Sequence, residues 1–212
     1  MKTIAIYGGA FDPPHLGHIE VVRRTLELPD VSEVMIVPSR NPPHKAPVAS
    51  YCRRMNMTKR VMRDAFLKGT LSQKPLVSNI ETRVQGTTYT VDVLRHLSWK
   101  PEEVRYRLVL GTDEVRSIMK WRQPNVIFGR IGMIVAGRPG TPEIDYRHGF
   151  SNVVVKAIAE ALRFNVADEF LVSSSGIRSS IAIKSGWWKQ FVPESIAEYI
   201  RKNGLYGYEK EQ

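Results

Sequence analysis

Short apolar runs alternate with amphipathic stretches along this chain. Residues 3–7 (Thr-Ile-Ala-Ile-Tyr) read as a buried strand, and the pattern from Ile19 to Leu26, with Glu20, Arg23 and Arg24 set between apolar positions, reads as a helix. Further runs at residues 33–37, 76–80, 106–110 and 131–135 have the length and the Val/Ile/Leu content of strands buried on both faces. The spacing predicts helices over residues 51–68, 90–97, 151–164 and 193–203, and a last short strand at 170–172. Ser50 suits an N-cap and Gly69 a stop for the first of these helices, within which Met55, Val61, Met62 and Phe66 supply an approximate apolar face. Pro193 suits a first helical position and Gly204 a C-terminal stop. Strand and helix in regular alternation predict an α/β protein built on a doubly wound parallel sheet. No internal repeat or low-complexity linker divides the chain, and the proline-rich loop at residues 40–48 is too short to separate domains. The expectation is one domain over residues 1–212, with 173–212 as a C-terminal helical part.

Composition narrows the class. Apolar residues make up 42% and charged residues 25%, as in ordinary soluble globular proteins. No apolar stretch approaches the roughly 20 residues that a membrane helix needs. The chain opens into a strand without the basic, apolar and small-residue sequence of a leader, so a cytoplasmic protein is expected. Cys52, the one cysteine, excludes an internal disulfide framework and a cysteine zinc site, and reads as a small, partly buried helical residue. The net charge of +10 fits either a nucleic-acid surface or a site for polyanionic small molecules. The basic residues are scattered (Arg53/Arg54, Lys59/Arg60/Arg63, Lys120/Arg122, Arg201/Lys202), with no stacking aromatics interleaved, which argues against nucleic acid.

The chemistry concentrates where the first strand meets the first helix. Gly8-Gly9-Ala10-Phe11-Asp12-Pro13-Pro14-His15-Leu16-Gly17-His18 is a glycine-rich turn opening a helix, the setting in which backbone N–H groups and the helix dipole hold phosphate. His15 and His18, three residues apart, can address one ligand from one face. No third ligand of the usual kind accompanies them, so hydrogen bonding to phosphate oxygens fits better than zinc ligation. Pro42-Pro43-His44-Lys45 is either a stiff surface loop with a solvated lysine or a loop that brings Lys45 onto a polyphosphate. Val172-Ser173-Ser174-Ser175-Gly176-Ile177-Arg178 reads as a strand end opening a helix, with hydroxyls, N–H groups and a guanidinium to hold an anion. The fourth strand runs into Gly111-Thr112-Asp113. If the first and fourth strands are neighbours, glycine on both lets a nucleotide approach the backbone from each side. Trp187-Trp188 reads as packing.

These segments resemble a known family. The first turn resembles the (H/T)xGH signature of the nucleotidylyltransferase superfamily, and Ser173-Ser174-Ser175-Gly176-Ile177-Arg178 resembles its second, SSTxIR-type signature, with Ser175 where threonine is common. Within the superfamily the chain resembles the bacterial nicotinate-mononucleotide adenylyltransferases, on Pro42-Pro43-His44-Lys45, Arg83 through Thr87-Thr88-Tyr89-Thr90-Val91-Asp92, Gly111-Thr112-Asp113 with Trp121 following, Arg138-Pro139-Gly140 and Gly204-Leu205-Tyr206. The likeness is collinear over essentially the whole chain. It implies a Rossmann-like fold and adenylyl transfer from ATP to nicotinate mononucleotide, giving deamido-NAD and pyrophosphate by direct in-line attack on the α-phosphate. By this resemblance His15 and His18 bind the triphosphate and stabilise charge, and Lys45 and Arg178 hold the β- and γ-phosphates. Gly8, Gly9, Ala10, Phe11, Gly111, Asp113, Ser174, Ser175 and Ile177 bind ATP. Asp12, Thr90, Trp121, Arg122 and Arg138 bind the nicotinate nucleotide, with Trp121 stacking on the pyridine ring. Magnesium is implied on the ATP phosphates rather than in a protein cage.

Other readings stay open: a nicotinamide-mononucleotide or pantetheine-phosphate adenylyltransferase within the same superfamily, or, on charge alone, a basic RNA-binding module. The oligomeric state is also open, a homo-oligomer included. His15→Ala and His18→Ala separate the classes. Turnover by an enzyme falls by about two orders of magnitude or more with the fold retained, whereas salt-dependent RNA binding is nearly unchanged, as nucleotide turnover and filter-binding assays on the same preparations will read.

Overall fold

The apolar runs become the strands of one sheet. The computed structural model describes residues 1–43, 46–97, 102–137, 140, 146 and 148–209. Among these residues the strands are β1 (Lys2–Gly9), β2 (Glu33–Pro38), β3 (Leu76–Val77), β4 (Val104–Gly111), β5 (Gly132–Gly137) and β6 (Leu162–Asn165), in the order β3-β2-β1-β4-β5-β6 with every pair parallel. The chain winds outward from β1 to β3, returns to place β4 on the other side of β1, and winds outward again. The strand order therefore reverses between β1 and β4, the neighbours on which the close-approach argument depended.

Register sorts the side chains into two layers. Ile6 lies beside Met35 and Leu108, and Leu108 beside Met133, on one face of the sheet. Tyr7 lies beside Ile36 and Val109, and Ile134 beside Val109 and Leu162, on the other. Among the described residues the helices are α1 (Leu16–Leu26), α2 (Tyr51–Leu67), α3 (Thr90–Arg95), α4 (Thr112–Arg116), α5 (Pro124–Phe128), α6 (Asn152–Ala159), α7 (Ser174–Ala182) and α8 (Glu194–Asn203). The Tyr7 face is covered by α1, α2, α7 and α8, through residues such as Val22, Val61, Ile181 and Ile196. The Ile6 face is covered by α3 to α6, through Val91, Val115, Ile127 and Ile158. Ser50 caps α2 by accepting the Arg53 N–H, and Gly204, with φ of 58°, ends α8.

Five expectations are corrected. The stretch expected to be helical to residue 164 ends at Ala159 and is followed by β6, because the free edge of β5 recruits the backbone of Leu162–Asn165. With that edge filled, residues 170–172 do not form a strand; Asp168–Phe170 is a 3-10 turn leading into α7. Cys52 is exposed rather than partly buried, and Phe66 is also exposed, since the buried stripe of α2 runs through Arg54, Met57, Val61 and Ala65. Trp188 is buried against the core, but Trp187 is half exposed.

The first turn is tied to the C-terminal part by a buried charge. The Asp12 carboxylate is 0% exposed and accepts N–H groups from Val48 at 2.7 Å and Ala49 at 3.1 Å and the Tyr206 hydroxyl at 2.8 Å. The Arg178 guanidinium lies 3.9 Å away. Tyr206 holds a left-handed φ of 60°, a conformation that costs energy in a non-glycine residue, while its hydroxyl donates to Asp12. Arg54, 1% exposed, donates from Nε to the Ala49 carbonyl at 3.0 Å and from Nη1 to the Ala10 carbonyl at 2.6 Å. Burial pulls the Arg54 pKa down from its ordinary value, and the nearby Asp12 charge opposes that shift.

Burial, then the Asp12 charge, pushes the Tyr206 phenol far above its ordinary range. An unfolded tyrosine ionises near pH 10 while the folded Tyr206 keeps its proton. Its contribution is therefore whole below about pH 10 and is lost as pH rises beyond it. Tyr206→Phe is expected to lower stability by about 1–3 kcal/mol at neutral pH. It is also expected to flatten the loss of stability above about pH 10 by close to one proton, read by urea unfolding across that range.

Candidate active site

At the carboxyl ends of β1 and β4 a cavity of about 910 Å³ opens across both layers. One side is built from the first turn. Gly8 and Gly9 end β1, Phe11 takes a left-handed φ of 50°, and His15 is the N-cap of α1. The His15 backbone N–H donates to His18 Nδ1 at 3.2 Å. That bond needs a lone pair on Nδ1, so a neutral His18 carries its proton on Nε2. The two imidazoles are in contact, with centroids 3.7 Å apart and planes tilted by 42°, and Phe11 packs on His18 at 4.8 Å. His15 is buried and His18 half-buried, and both rings belong to residues that line the cavity. Gly17 is required by close approach: a Cβ there would lie 2.6 Å from the Phe170 carbonyl oxygen and 3.1 Å from the His15 ring.

The start of α7 reaches the same side. Ser173 caps it by accepting the Gly176 N–H at 3.1 Å, and Ser174 Oγ donates to the Pro13 carbonyl at 2.9 Å. Ser174 and Ser175 occupy first-turn positions whose N–H groups have no carbonyl within the helix, and both residues line the cavity. Arg178 donates from Nη1 to the Asp12 carbonyl at 2.7 Å and from Nη2 to Ser175 Oγ at 3.3 Å, fastening α7 to the first turn.

The other side comes from elements on the Ile6 face. Thr90 begins α3, and Tyr89, Thr90, Trp121 and Arg122 line the cavity. The Arg122 guanidinium lies 5.0 Å from the centre of the Tyr89 ring and pairs with Asp92 at 3.3 Å. Gly111 ends β4, with the Glu114 carboxylate folded close against it. Among the described residues no group of three or more His, Cys, Asp or Glu side chains is placed to hold a metal ion.

The structure thus gathers Gly8, Gly9, Ala10, Phe11, His15, His18, Gly111, Thr90, Trp121, Arg122, Ser174 and Ser175 around one space. It does not bring four others there. Asp12 is sealed inside with its carboxylate satisfied, so it organises the turn instead of meeting a ligand. Ile177 is 0% exposed in the core, and its N–H already donates to the Ser173 carbonyl. Asp113 turns to solvent and pairs with Arg116. Arg178 does not line the cavity and is committed to Asp12 and Ser175. Lys45 and Arg138 lie outside the described residues. The sequence alone pointed to no site role for Glu81, Arg54, Glu114 or Tyr206. Arg54 left one trace, a charge on the apolar stripe of α2, which marks a buried guanidinium needing carbonyl partners.

A doubly wound sheet with a glycine-lined crevice at its switch point, imidazoles at one helix start and serines at another, is the frame of a nucleotidyltransferase. Residues 6–180 match the family model described as Cytidylyltransferase-like, and the chain belongs to that family. Curated relatives place it more narrowly. A protein of Halalkalibacterium halodurans is 30% identical over 208 residues, covering 97% of this chain and 92% of its own. One of Desulfitobacterium hafniense is 31% identical over 209 residues, covering 97% and 96%. Both are named probable nicotinate-nucleotide adenylyltransferase, and the chain is a member of the nicotinate-nucleotide adenylyltransferase family. The fold is shared with Plasmodium falciparum nicotinic acid mononucleotide adenylyltransferase complexed with NaAD, at a TM-score of 0.80 and 21% identity over 99% of each chain.

Two glycines test the geometry. Gly17→Ala is expected to destabilise the fold by about 1–3 kcal/mol and to depress turnover, because the helix start must move off Phe170. Gly8→Ala, whose Cβ meets nothing within 4 Å, is expected to leave stability within about 0.5 kcal/mol while raising the KM for ATP, as unfolding curves and initial rates will show.

Proposed function

We propose that this protein transfers the adenylyl group of ATP to nicotinate mononucleotide, forming deamido-NAD and releasing pyrophosphate in NAD biosynthesis. The observation that carries the reading is the convergence on one cavity of an imidazole pair and a helix start from one layer with an aromatic, hydroxyl and guanidinium set from the other. The 5′-phosphate of the acceptor attacks the α-phosphorus of ATP in line and the pyrophosphate leaves, so no covalent intermediate with the protein is required.

Phosphoryl-type transfer asks the protein mainly to position and to stabilise charge. His18 donates Nε2–H, and His15 in contact beside it supplies a second imidazole, toward oxygens on which charge grows as pyrophosphate departs. The first-turn N–H groups of Ser174 and Ser175 add fixed dipoles. Lys45 reaches the outer phosphates in this reading. Magnesium enters on the substrate as MgATP, in keeping with its preference for phosphate and water ligands. The net charge of +10 draws anionic nucleotides toward the site.

Trp121 stacks on the pyridine ring, and Thr90 with Arg122 meets its carboxylate. An amide would turn an NH2 toward a guanidinium that can only donate, which penalises the nicotinamide nucleotide. Pyrophosphate release with MgATP is to be compared for nicotinate mononucleotide, nicotinamide mononucleotide and phosphopantetheine. The expected outcome is a preference of at least about tenfold for the nicotinate nucleotide. Turnover with phosphopantetheine alone, or with none of the three, would overturn the assignment.

A further inference from the structure

Glu81 is a carboxylate only 7% exposed in the cavity wall, and the chemistry above makes no use of it. It sits on the 3-10 turn Ile80–Arg83, which follows β3. Two donors reach it: the Arg40 backbone N–H, just beyond β2, and the Thr88 hydroxyl. Thr88 in turn accepts the Asn41 N–H on Oγ1 at 3.3 Å and returns its own N–H to the Asn41 carbonyl at 2.9 Å. The Asn41 amide donates to the Gly86 carbonyl at 3.2 Å, and the Arg40 guanidinium to the Val84 carbonyl at 3.4 Å. Two stretches distant in sequence, 39–43 and 84–90, are stitched together with Glu81 at the buried end of the seam. Both supply cavity wall: Ser39, Pro42 and Pro43 from the first, Thr88, Tyr89 and Thr90 from the second.

A carboxylate is an expensive way to join two loops. Burial pushes the Glu81 carboxyl up from its ordinary value, and only its two hydrogen bonds and the Arg54 and Arg40 guanidinium charges hold it back. Its chemistry nevertheless suits the seam, because both partners donate and a carboxylate only accepts. Glutamine offers one accepting oxygen in place of two and carries no charge.

We propose that Glu81 is a positioning residue for the acceptor nucleotide, latching stretch 39–43 to stretch 84–90 so that Tyr89 and Thr90 are held beside Arg122. The assignment of Tyr89, Thr90 and Arg122 to the acceptor rests on the function proposed above; the latch itself does not. The ATP side is built from the β1 turn, α1, α7 and Gly111, none of which Glu81 hydrogen-bonds, and the seam meets that side through the Ser39 N–H, which donates to the Gly9 carbonyl at 2.8 Å. Loss of the latch therefore acts more on the acceptor than on ATP.

The test uses the full chain with Glu81→Gln and, as an independent cut at the same seam, Thr88→Val. Amide hydrogen exchange without substrates is expected to quicken by about tenfold at Arg40 and Thr88 in Glu81→Gln, and at Asn41 in Thr88→Val. Pyrophosphate-release kinetics are expected to show KM for nicotinate mononucleotide raised by about tenfold in both variants, with kcat within about threefold and KM for ATP within about twofold of the parent. Unchanged exchange overturns the latch whatever the kinetics. Quickened exchange with the KM values for both substrates rising together, or with kcat alone falling, overturns the acceptor-specific role. A parent enzyme that turns over no pyridine nucleotide sinks the proposed function and this role with it, while exchange still decides the latch.

Discussion

A carboxylate sealed from water holds the functional end of this molecule together. Asp12 can be buried only if donors reach it, because an unpaired buried charge costs more than a small domain can bear. The donors come from residues 36, 37 and 194 positions away in the chain, namely Val48, Ala49 and Tyr206. One charge thus sets the first turn against the start of α2 and against the chain's last 3-10 turn. Arg54 completes the arrangement by holding the carbonyls of Ala10 and Ala49, and Arg178 by holding that of Asp12. The glycine-rich turn that ends β1 is therefore anchored from three distant segments of the chain. Donors that need not reorganise when charge develops are the ones that stabilise a transition state most.

The second constraint is topological. Reversal of strand order between β1 and β4 leaves a crevice that neither layer of helices closes. Each layer delivers its own helix starts to that crevice, and their chemistries differ. The Tyr7 face brings His15, His18 and the serines of α7, which suit phosphate. The Ile6 face brings Tyr89, Thr90, Trp121 and Arg122, which suit a flat ring bearing an anionic substituent. A transfer between two nucleotides needs two binding surfaces meeting at one phosphorus, and a doubly wound sheet provides both without a second domain.

Much of this was legible residue by residue. The β1 turn announced itself because its signals are local: an apolar run, two glycines, two histidines three apart, and a helix start. Strand and helix alternation implied the parallel sheet for the same reason. Leu162–Asn165 was not legible as a strand, because four residues alternating apolar and polar after a helix carry no mark of the open edge on β5 that recruits them. Ile177 and Asp113 lay within motifs but face the core and solvent respectively, since a motif names a segment and not the direction of each side chain. Glu81 and Arg54 showed no site role because a charge in a sequence looks solvated until the partners that bury it are known.

The amino-acid sequence by itself determined the class of fold, the glycine-rich turn after the first strand, the serine-rich helix start and the family to which the chain belongs. All of these are written in short-range steric and hydrogen-bonding preferences or in residue order. The tertiary structure alone decided that β1 and β4 are neighbours, that Asp12 and Arg178 build the site rather than line it, and that Glu81 joins two loops in the cavity wall. Those outcomes depend on desolvation and on donors tens to hundreds of residues away, so no local window of the chain contains them.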